Sequence, residues 1–284
     1  MTSRWLICFS VLAAVPSYPG TVTGRVELRD SRDAAVKNRH DYSGVVISLK
    51  PLPGTASRAA ATQAVKAHAV ITQKDKTFSP HVLAIPLGTY VDFPNIDPIF
   101  HNAFSSYSGQ VFDVGLYPPG TTRAVRFTRE GVVRVFCNIH SSMSAMIVVL
   151  ATPYFAVSKK DGSFEIAGVP PGEYELRVMH ERASEAALEA LTRRVSVPSN
   201  VTSNLTSSVT SGITSNTTSG GGAGSDVQSL PSITVSEAGY LSIPHKNKYG
   251  QEYPPDQGGN LLYPGRSILF TAGLLPSFKV LTRT

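Results

Sequence analysis

The sequence contains little cysteine, and this scarcity excludes several kinds of protein. Its two cysteines are Cys8 and Cys137. Cys8 lies in an N-terminal segment that we expect to be removed, so the mature chain keeps one thiol and has no internal disulfide framework. Charged residues make up only 16% of the chain, below the usual quarter. The net charge of +6 comes without a Lys/Arg stripe interleaved with aromatic residues, so we do not expect nucleic-acid binding.

Long hydrophobic runs are also missing from most of the chain. Beyond the N-terminus no stretch approaches about 18 consecutive apolar residues, so we expect no transmembrane segment in the mature protein. Residues 1–19 have the pattern of a secretory signal, because Arg4 precedes an apolar run from Trp5 to Val15 that Pro16 interrupts. The alternative for this run is a buried strand or a retained anchor. The pattern predicts a periplasmic or secreted protein.

The residues that are abundant favour an all-β protein. Hydrophobic residues reach 42%, which is enough for a buried core, and 23 glycines with 20 prolines favour a turn-rich fold over a helical bundle. Short runs of strand length alternate with turn signals, as in a sandwich or barrel. We predict one short helix over 184–191 and strands over 23–28, 45–49, 67–72, 81–86, 90–93, 124–127, 132–136, 145–150, 154–157, 163–166, 173–180 and 233–235.

The order of these runs predicts two domains. The first covers residues 20–152 and comprises N-terminal strands over 20–65 and a core over 66–152. The second covers residues 153–256. It contains a flexible insertion at 199–229, where Ser, Thr, Asn and Gly dominate and too little apolar surface is available to offset the entropy of ordering. Residues 257–284 form a C-terminal tail without a clear pattern.

One segment carries residues suited to metal chemistry. A predicted strand ends at Cys137, and His140 and Met143 follow at intervals of three residues. Thiolate, imidazole and thioether groups are soft to borderline ligands, which suit copper better than calcium or magnesium. A second histidine is needed from elsewhere, and His101 is the candidate because it also follows a strand and a turn. Two histidines, one cysteine and a weak axial methionine make a blue-copper site.

Other uses of this segment fit less well. A c-type haem needs a second cysteine before the histidine, and a structural zinc site usually has two or more cysteines. A catalytic Cys/His pair is normally separated in sequence, and no oxyanion-stabilising feature is evident. The simplest alternative is a buried free cysteine near a surface histidine.

The pattern Cys137-x-x-His140-x-x-Met143, with Asn95-x-Asp97 and His101-Asn102 upstream, resembles the cupredoxins. The short spacing is most similar to amicyanin within the plastocyanin/amicyanin group. Residues 66–180, together with 233–256 and its His245-Lys246-Asn247-Lys248-Tyr249-Gly250, are also similar to exported bacterial proteins described as methylamine-utilisation or plastocyanin-like proteins.

This resemblance implies a two-sheet Greek-key domain that binds one type 1 copper ion. His101, Cys137 and His140 would be the equatorial ligands and Met143 the axial ligand, while the backbone at Asn102 would help to fix the thiolate. Two departures matter. The residues between Cys137 and His140 are Asn138 and Ile139, where amicyanin and plastocyanin carry a proline. Met146 offers a second thioether, although it is better explained by packing on a strand.

The second domain resembles the small sandwich that accompanies carboxypeptidases as a regulatory-like module. The resemblance rests on Asp161-Gly162-Ser163-Phe164 and Val169-Pro170-Pro171-Gly172-Glu173-Tyr174. It implies an Ig/transthyretin-like β-sandwich that acts as a binding or packing accessory without catalytic residues.

Three functional hypotheses follow. The first is an exported type 1 copper protein that carries single electrons between redox partner proteins. The second is a copper carrier or buffer without electron transfer. The third is a structural or carbohydrate-binding pair of sandwiches whose copper loop is vestigial. An enzyme such as a copper nitrite reductase is not expected, because the sequence shows no second copper site built from histidines.

Overall fold

The structure is a computed structural model, and it describes residues 19–55, 67–106, 109–198, 227–240 and 245–253. The predicted signal, apart from residue 19, and the tail at 257–284 lie outside the described residues. So does the predicted insertion up to residue 226. Across the described part of the chain, no helix is both long enough and apolar enough to cross a bilayer.

Strands dominate the described chain, and the all-β prediction is confirmed. The first elements are β1 (Gly20–Arg29), α1 (Ala34–Arg39) and β2 (Val46–Pro51). They are followed by β3 (His68–Val70), β4 (Thr72–Lys74), β5 (Thr77–Ser79), β6 (Val82–Pro86), β7 (Tyr90–Pro94), β8 (Phe104–Ser105), β9 (Phe112–Asp113), β10 (Thr122–Arg126), β11 (Gly131–Phe136) and β12 (Ser144–Leu150). The later elements are β13 (Phe155–Val157), β14 (Ser163–Val169), β15 (Gly172–Met179), α2 (Glu185–Glu189), β16 (Arg193–Val197), β17 (Val227–Ser229) and β18 (Ile233–Ser236).

The strands β3 to β12 form a unit that we call the ligand sandwich, because it carries the four predicted ligands. One sheet has the strand order β10-β7-β3 and the other the order β6-β12-β11-β8-β9, with β4 and β5 as a separate hairpin. The inner faces of the two sheets share one buried core, which includes Phe93, Phe127, Val135 and Ile147.

The strands β1, β2 and β13 to β18 form a second unit, the split sandwich. One sheet is built on β1, which pairs with β14, β17 and β18, and the other has the order β13-β2-β15-β16. A single core of apolar side chains lies between these sheets. The ligand sandwich is therefore inserted between β2 and β13 of the split sandwich.

This arrangement corrects the predicted domain boundary. The N-terminal strands within residues 20–65 were assigned to the copper-binding domain, but β1 and β2 pair with strands of the second unit. Packing around Gly24 shows why β1 belongs there, since a Cβ atom at this position would lie 2.5 Å from Cζ of Phe164 on β14. The missing side chain makes room for the aromatic ring.

Two smaller predictions also change. The predicted insertion ends before residue 229, because Val227–Ser229 forms β17 and pairs in parallel with β1. The charged segment at 30–42, for which no strand or helix was predicted, contains α1. Asp33 caps this helix by accepting a hydrogen bond from the Ala35 amide at 2.6 Å.

Strand β12 is buried on both of its faces and joins the two units. Ala145, Ile147 and Val149 point into the core of the ligand sandwich. Met146, Val148 and Leu150 point the other way, into a layer between the sandwiches. Apolar side chains complete that layer from β6, β11, β2, β13 and β15: Val82, Ala84, Val132, Val46, Phe155, Val157 and Met179. A strand packed on both faces has a continuous apolar sequence rather than an alternating one.

An ionised histidine also bridges the two units. Nε2 of His81 lies 2.6 Å from the Glu181 carboxylate, and Nδ1 lies 3.0 Å from the carbonyl oxygen of Ser144. Both partners only accept hydrogen bonds, so both ring nitrogens must donate and the ring is an imidazolium. The hydrogen bond to Glu181 raises the pKa of His81. Burial opposes ionisation of Glu181, yet the hydrogen bond from His81 keeps the pKa of this carboxyl below its ordinary value.

The turn at Gly162 provides a test of the split sandwich. A Cβ atom there would collide with the carbonyl oxygen of Val26 on β1, and the backbone has φ +82°. Gly168 has a similar φ of +71° but open space around its Cα. We expect both alanine variants to lose about 1–2 kcal/mol from the left-handed backbone. Gly162→Ala should lose about 1–3 kcal/mol more from the collision. Denaturant unfolding measures the difference, and equal losses would contradict the placement of β1.

The His81–Glu181 pair should stabilise the protein only within a limited pH range. Because the pKa of His81 is raised above 6.5, its contribution is complete below that pH and is lost as pH rises through the raised pKa. Because the pKa of Glu181 is lowered below 4.5, its contribution is complete above that pH and is lost in stronger acid. A double-mutant cycle with His81→Gln and Glu181→Gln should give a coupling below about 1 kcal/mol near pH 5.5, since the pair is partly exposed, and a smaller coupling at about pH 8.5. A coupling that does not change with pH would show that His81 is not charged.

Candidate metal centre

The loop between β11 and β12 positions the predicted sulfur ligands. Phe136 at the end of β11 pairs with Ser144 at the start of β12. Within the loop, the Cys137 amide donates to the carbonyl oxygen of Met143 at 3.2 Å, and the Met143 amide donates to that of His140 at 3.2 Å. These bonds close the loop, so Cys137, His140 and Met143 are held close together by its backbone.

His101 reaches the same place from a separate loop. This loop follows β7 and is folded by Asn95, whose side chain donates to the carbonyl oxygen of Ile99 at 2.8 Å and accepts from the amide of Asp97 at 3.1 Å. Backbone hydrogen bonds of 3.2 and 2.9 Å then join His101 to Tyr117. The loop therefore ends with the His101 side chain inside the protein, where its exposure is 0%.

The structure brings three of the predicted ligands together. Nδ1 of His101 lies 3.9 Å from Sγ of Cys137, and Nδ1 of His140 lies 3.7 Å from the same sulfur. All three ligand atoms lie within 4.8 Å of one another. Cys137 is fully buried and forms no disulfide, whereas His140 is half-buried.

These separations match those required by one metal ion. Metal–sulfur and metal–nitrogen distances of about 2.3 and 2.1 Å, with an angle of about 120° between them, place sulfur and nitrogen about 3.8 Å apart. The observed distances of 3.9 and 3.7 Å lie on either side of this value. Both imidazoles present the same nitrogen, Nδ1, to the sulfur. The residues present therefore fit a trigonal site with one sulfur and two nitrogens.

A carboxylate orients His101. Nε2 of His101 lies 2.7 Å from Oδ2 of Asp97. The carboxylate can only accept, so Nε2 carries the proton and Nδ1 keeps its lone pair toward the sulfur. The amides of Asp75 and Lys76 donate to Asp97 at 2.6 and 2.9 Å and hold it in place.

Burial and hydrogen bonding determine the charges at the site. Burial lowers the pKa of His101, which favours the neutral ring that a metal requires. Burial opposes ionisation of Asp97, but the amide hydrogen bonds and His101 keep the pKa of this carboxyl below its usual value. Burial raises the pKa of the Cys137 thiol, although the backbone amides of Ile139, Asn102 and His140 oppose that shift.

The two methionines lie on opposite sides of β12. Met143 is fully buried in the same core cluster as Cys137. Met146 lies in the layer between the sandwiches, on the face of β12 that points away from that core. The packing role expected for Met146 is therefore correct, and Met143 remains the predicted axial ligand.

Sequence reasoning missed the contribution of residues 245–253. They were assigned to the second domain, but they contact the loop that carries Cys137. Tyr253 donates to the carbonyl oxygen of Cys137 at 2.6 Å, and the His245 ring stacks on Phe136 with a centroid distance of 4.1 Å. The second-domain assignment is therefore wrong for this segment. The resemblance that the sequence suggested for residues 233–256 was the available signal.

Comparison with known proteins gives limited similarity. No family model matches the chain, and no curated protein matches it. One similar solved structure is a copper-containing nitrite reductase from Thermus scotoductus SA-01, at 27% identity over 29% of this chain and 22% of that chain, with a TM-score of 0.28. The chain therefore spans about a fifth of that enzyme's length.

Smaller proteins match along nearly their whole length. A purple cupredoxin from Nitrosopumilus maritimus is 28% identical over 30% of this chain and 99% of its own, with a TM-score of 0.26. A reduced mutant of amicyanin is 20% identical over 37% of this chain and 98% of its own, with a TM-score of 0.28. Because these TM-scores are low, the choice of metal rests on the side-chain geometry described above rather than on these similarities.

Asp97→Asn tests the orienting carboxylate. This change keeps the shape of the side chain but removes its charge, so copper affinity should fall about 10- to 100-fold, as is usual when a residue that orients a metal-bound histidine is lost. Competition titration with a copper chelator measures the change. Asp92→Asn is the matched control, because Asp92 pairs at 2.8 Å with the exposed His68. Equal affinities for the two variants would exclude a role for Asp97 at the centre.

Proposed function

We propose that this chain is an exported type 1 copper protein that carries single electrons between redox partner proteins. One copper ion would bind His101, Cys137 and His140, with Met143 as a weak axial ligand. The observation that supports this proposal is the approach of two Nδ1 atoms to one buried sulfur at 3.9 and 3.7 Å. When bound, copper supplies one-electron chemistry by alternating between Cu(I) and Cu(II).

The donor set favours copper over zinc. Structural zinc sites are closed by four ligands, usually with more than one cysteine, whereas a His₂Cys trigonal set with a weak thioether is typical of electron-transfer copper. Cys137 and His101 are fully buried, so water has little access to the sulfur. Burial of the sulfur and hydrogen bonds around it then influence the reduction potential.

The protein would act mainly by restricting movement of the ligands. Asp97 fixes the ring of His101, and the hydrogen-bonded loop fixes Cys137 relative to Met143. A ligand set that moves little between oxidation states lowers the reorganisation that accompanies each transfer. His140 is the half-buried ligand, and the exposed Ser141 and Ser142 lie beside it. We expect electrons to pass through this edge to a partner that docks weakly.

A catalytic role has less support. The proposed ligand set leaves no position for a substrate. Among the described residues, His101, Cys137 and His140 are the only group of three His, Cys, Asp or Glu side chains arranged to hold a metal. We therefore propose an electron carrier rather than an enzyme, and the split sandwich would serve as a packing or binding accessory.

Absorption spectra of matched methionine variants test the proposal. Copper added to the purified protein should give an intense visible thiolate-to-copper band and a reversible one-electron couple. Cys137→Ser should abolish the band, and Met143→Leu should shift the band and the potential, because the axial ligand tunes both. Met146→Leu is the control and should leave both unchanged, since Met146 lies in the layer between the sandwiches.

Two outcomes would count against electron transfer. A colourless Cu(I) form that cannot be oxidised reversibly would favour a copper carrier. A parent protein that takes up no copper, and whose stability is unchanged by Cys137→Ser, would leave a structural or carbohydrate-binding protein as the better interpretation.

A further inference from the structure

Residues 245–253 form a segment that we call the strap. It follows the last strand of the split sandwich, β18, yet its contacts are with the ligand sandwich. Three separate contacts hold the strap against the backbone around Cys137. None of these contacts involves the side chain of a predicted metal ligand, so the strap can affect the site only by holding the loop backbone.

The first contact is the hydrogen bond from Tyr253 to the carbonyl oxygen of Cys137, at 2.6 Å. Oη of Tyr253 also lies 3.1 Å from Nδ1 of His245. A hydroxyl has one proton and a carbonyl only accepts, so the Tyr253 proton points to Cys137 and His245 donates to Tyr253. Burial raises the pKa of Tyr253, which keeps this proton in place at ordinary pH.

The second contact joins the strap to both ligand-bearing loops. The amide of Lys248 donates to Oδ1 of Asn138 at 2.9 Å, next to Cys137 in the chain. Nζ of Lys248 lies 2.7 Å from Oδ2 of Asp113. The other oxygen of Asp113 accepts from Asn102 at 2.8 Å, and Asn102 is adjacent to His101.

The third contact is aromatic. The His245 ring stacks on Phe136 at a centroid distance of 4.1 Å and an interplanar angle of 26°. Phe136 is the residue before Cys137. The strap therefore contacts residues 136, 137 and 138 in succession.

The loop needs such support because its own sequence does not stiffen it. No proline lies between Cys137 and His140, so the backbone torsions there are not restricted by a ring. An external hydrogen bond on a loop carbonyl restricts the same torsions.

We propose that Tyr253 and Lys248 are positioning residues of the metal centre, which hold the Cys137 backbone so that its sulfur stays beside the two imidazoles. The effect on a bound metal rests on the proposed function. The effect on the free thiol does not, so the two can be tested separately.

The metal-free test measures how fast Cys137 reacts with a thiol reagent. The full chain carries Cys8→Ser so that Cys137 is the only thiol. Tyr253→Phe removes one hydrogen bond and should speed labelling about fivefold, equivalent to about 1 kcal/mol of local opening at 1.4 kcal/mol per tenfold change. Tyr249→Phe is the matched control, because Tyr249 is 70% exposed on the same strap and contacts Lys248 rather than the loop. Equal rates for the two variants would overturn the proposal.

The metal-loaded test measures the visible band and the reduction potential of the same variants. Tyr253→Phe should shift both, whereas Tyr249→Phe should leave both as in the parent protein.

Lys248→Met removes the ion pair with Asp113 and provides a second variant should Tyr253→Phe fail to fold. It should also speed labelling and shift the potential. A parent protein that takes up no copper would refute the proposed function, while the labelling rates would still decide the role of the strap. A parent protein with a normal band and unchanged variants would refute the strap alone.

Discussion

A buried thiol and two imidazole nitrogens within 3.9 Å of the sulfur do not stay together without support. Each side chain loses conformational freedom, and each polar atom loses water. The structure offsets these costs with specific contacts. Asp97 takes the outer nitrogen of His101, the loop backbone holds Cys137 against Met143, and backbone amides face the sulfur. The neutral His101 and the protonated thiol together form a site that a metal cation can enter by displacing one proton.

Strand β12 connects this site to the rest of the molecule. It begins directly after Met143 and is packed on both faces, by the core of the ligand sandwich and by the layer between the sandwiches. His81 donates a hydrogen bond to the carbonyl oxygen of Ser144, where the strand begins, and pairs with Glu181 of the split sandwich. The strap restrains the opposite end of the same loop at Cys137 and Asn138. The ligand loop is therefore held at both ends by parts of the chain that are distant in sequence.

The predictions succeeded where the signal was local. The apolar run at 145–150 and the strand ending at Phe136 correctly placed the cysteine loop between two strands. His101 was predicted because it also follows a strand and a turn, and the structure places its Nδ1 atom 3.9 Å from Sγ of Cys137. The assignment of residues 20–65 failed, because strand pairing depends on which surfaces fit together rather than on order in the chain. Gly24 shows this, since its role appears only when Phe164 lies over it.

The amino-acid sequence by itself determined the all-β class, the positions of most of the longer strands and the residue types proposed as ligands, because periodicity and residue chemistry act over a few neighbouring residues. Tertiary structure decided which strands share a sheet and which methionine lies in the same buried core as Cys137. It also decided that Asp97 contacts the ring of His101 and that Tyr253 contacts the backbone of Cys137. These features depend on contacts between segments as far apart as residues 137 and 253, and only the packing of the folded chain brings such segments together.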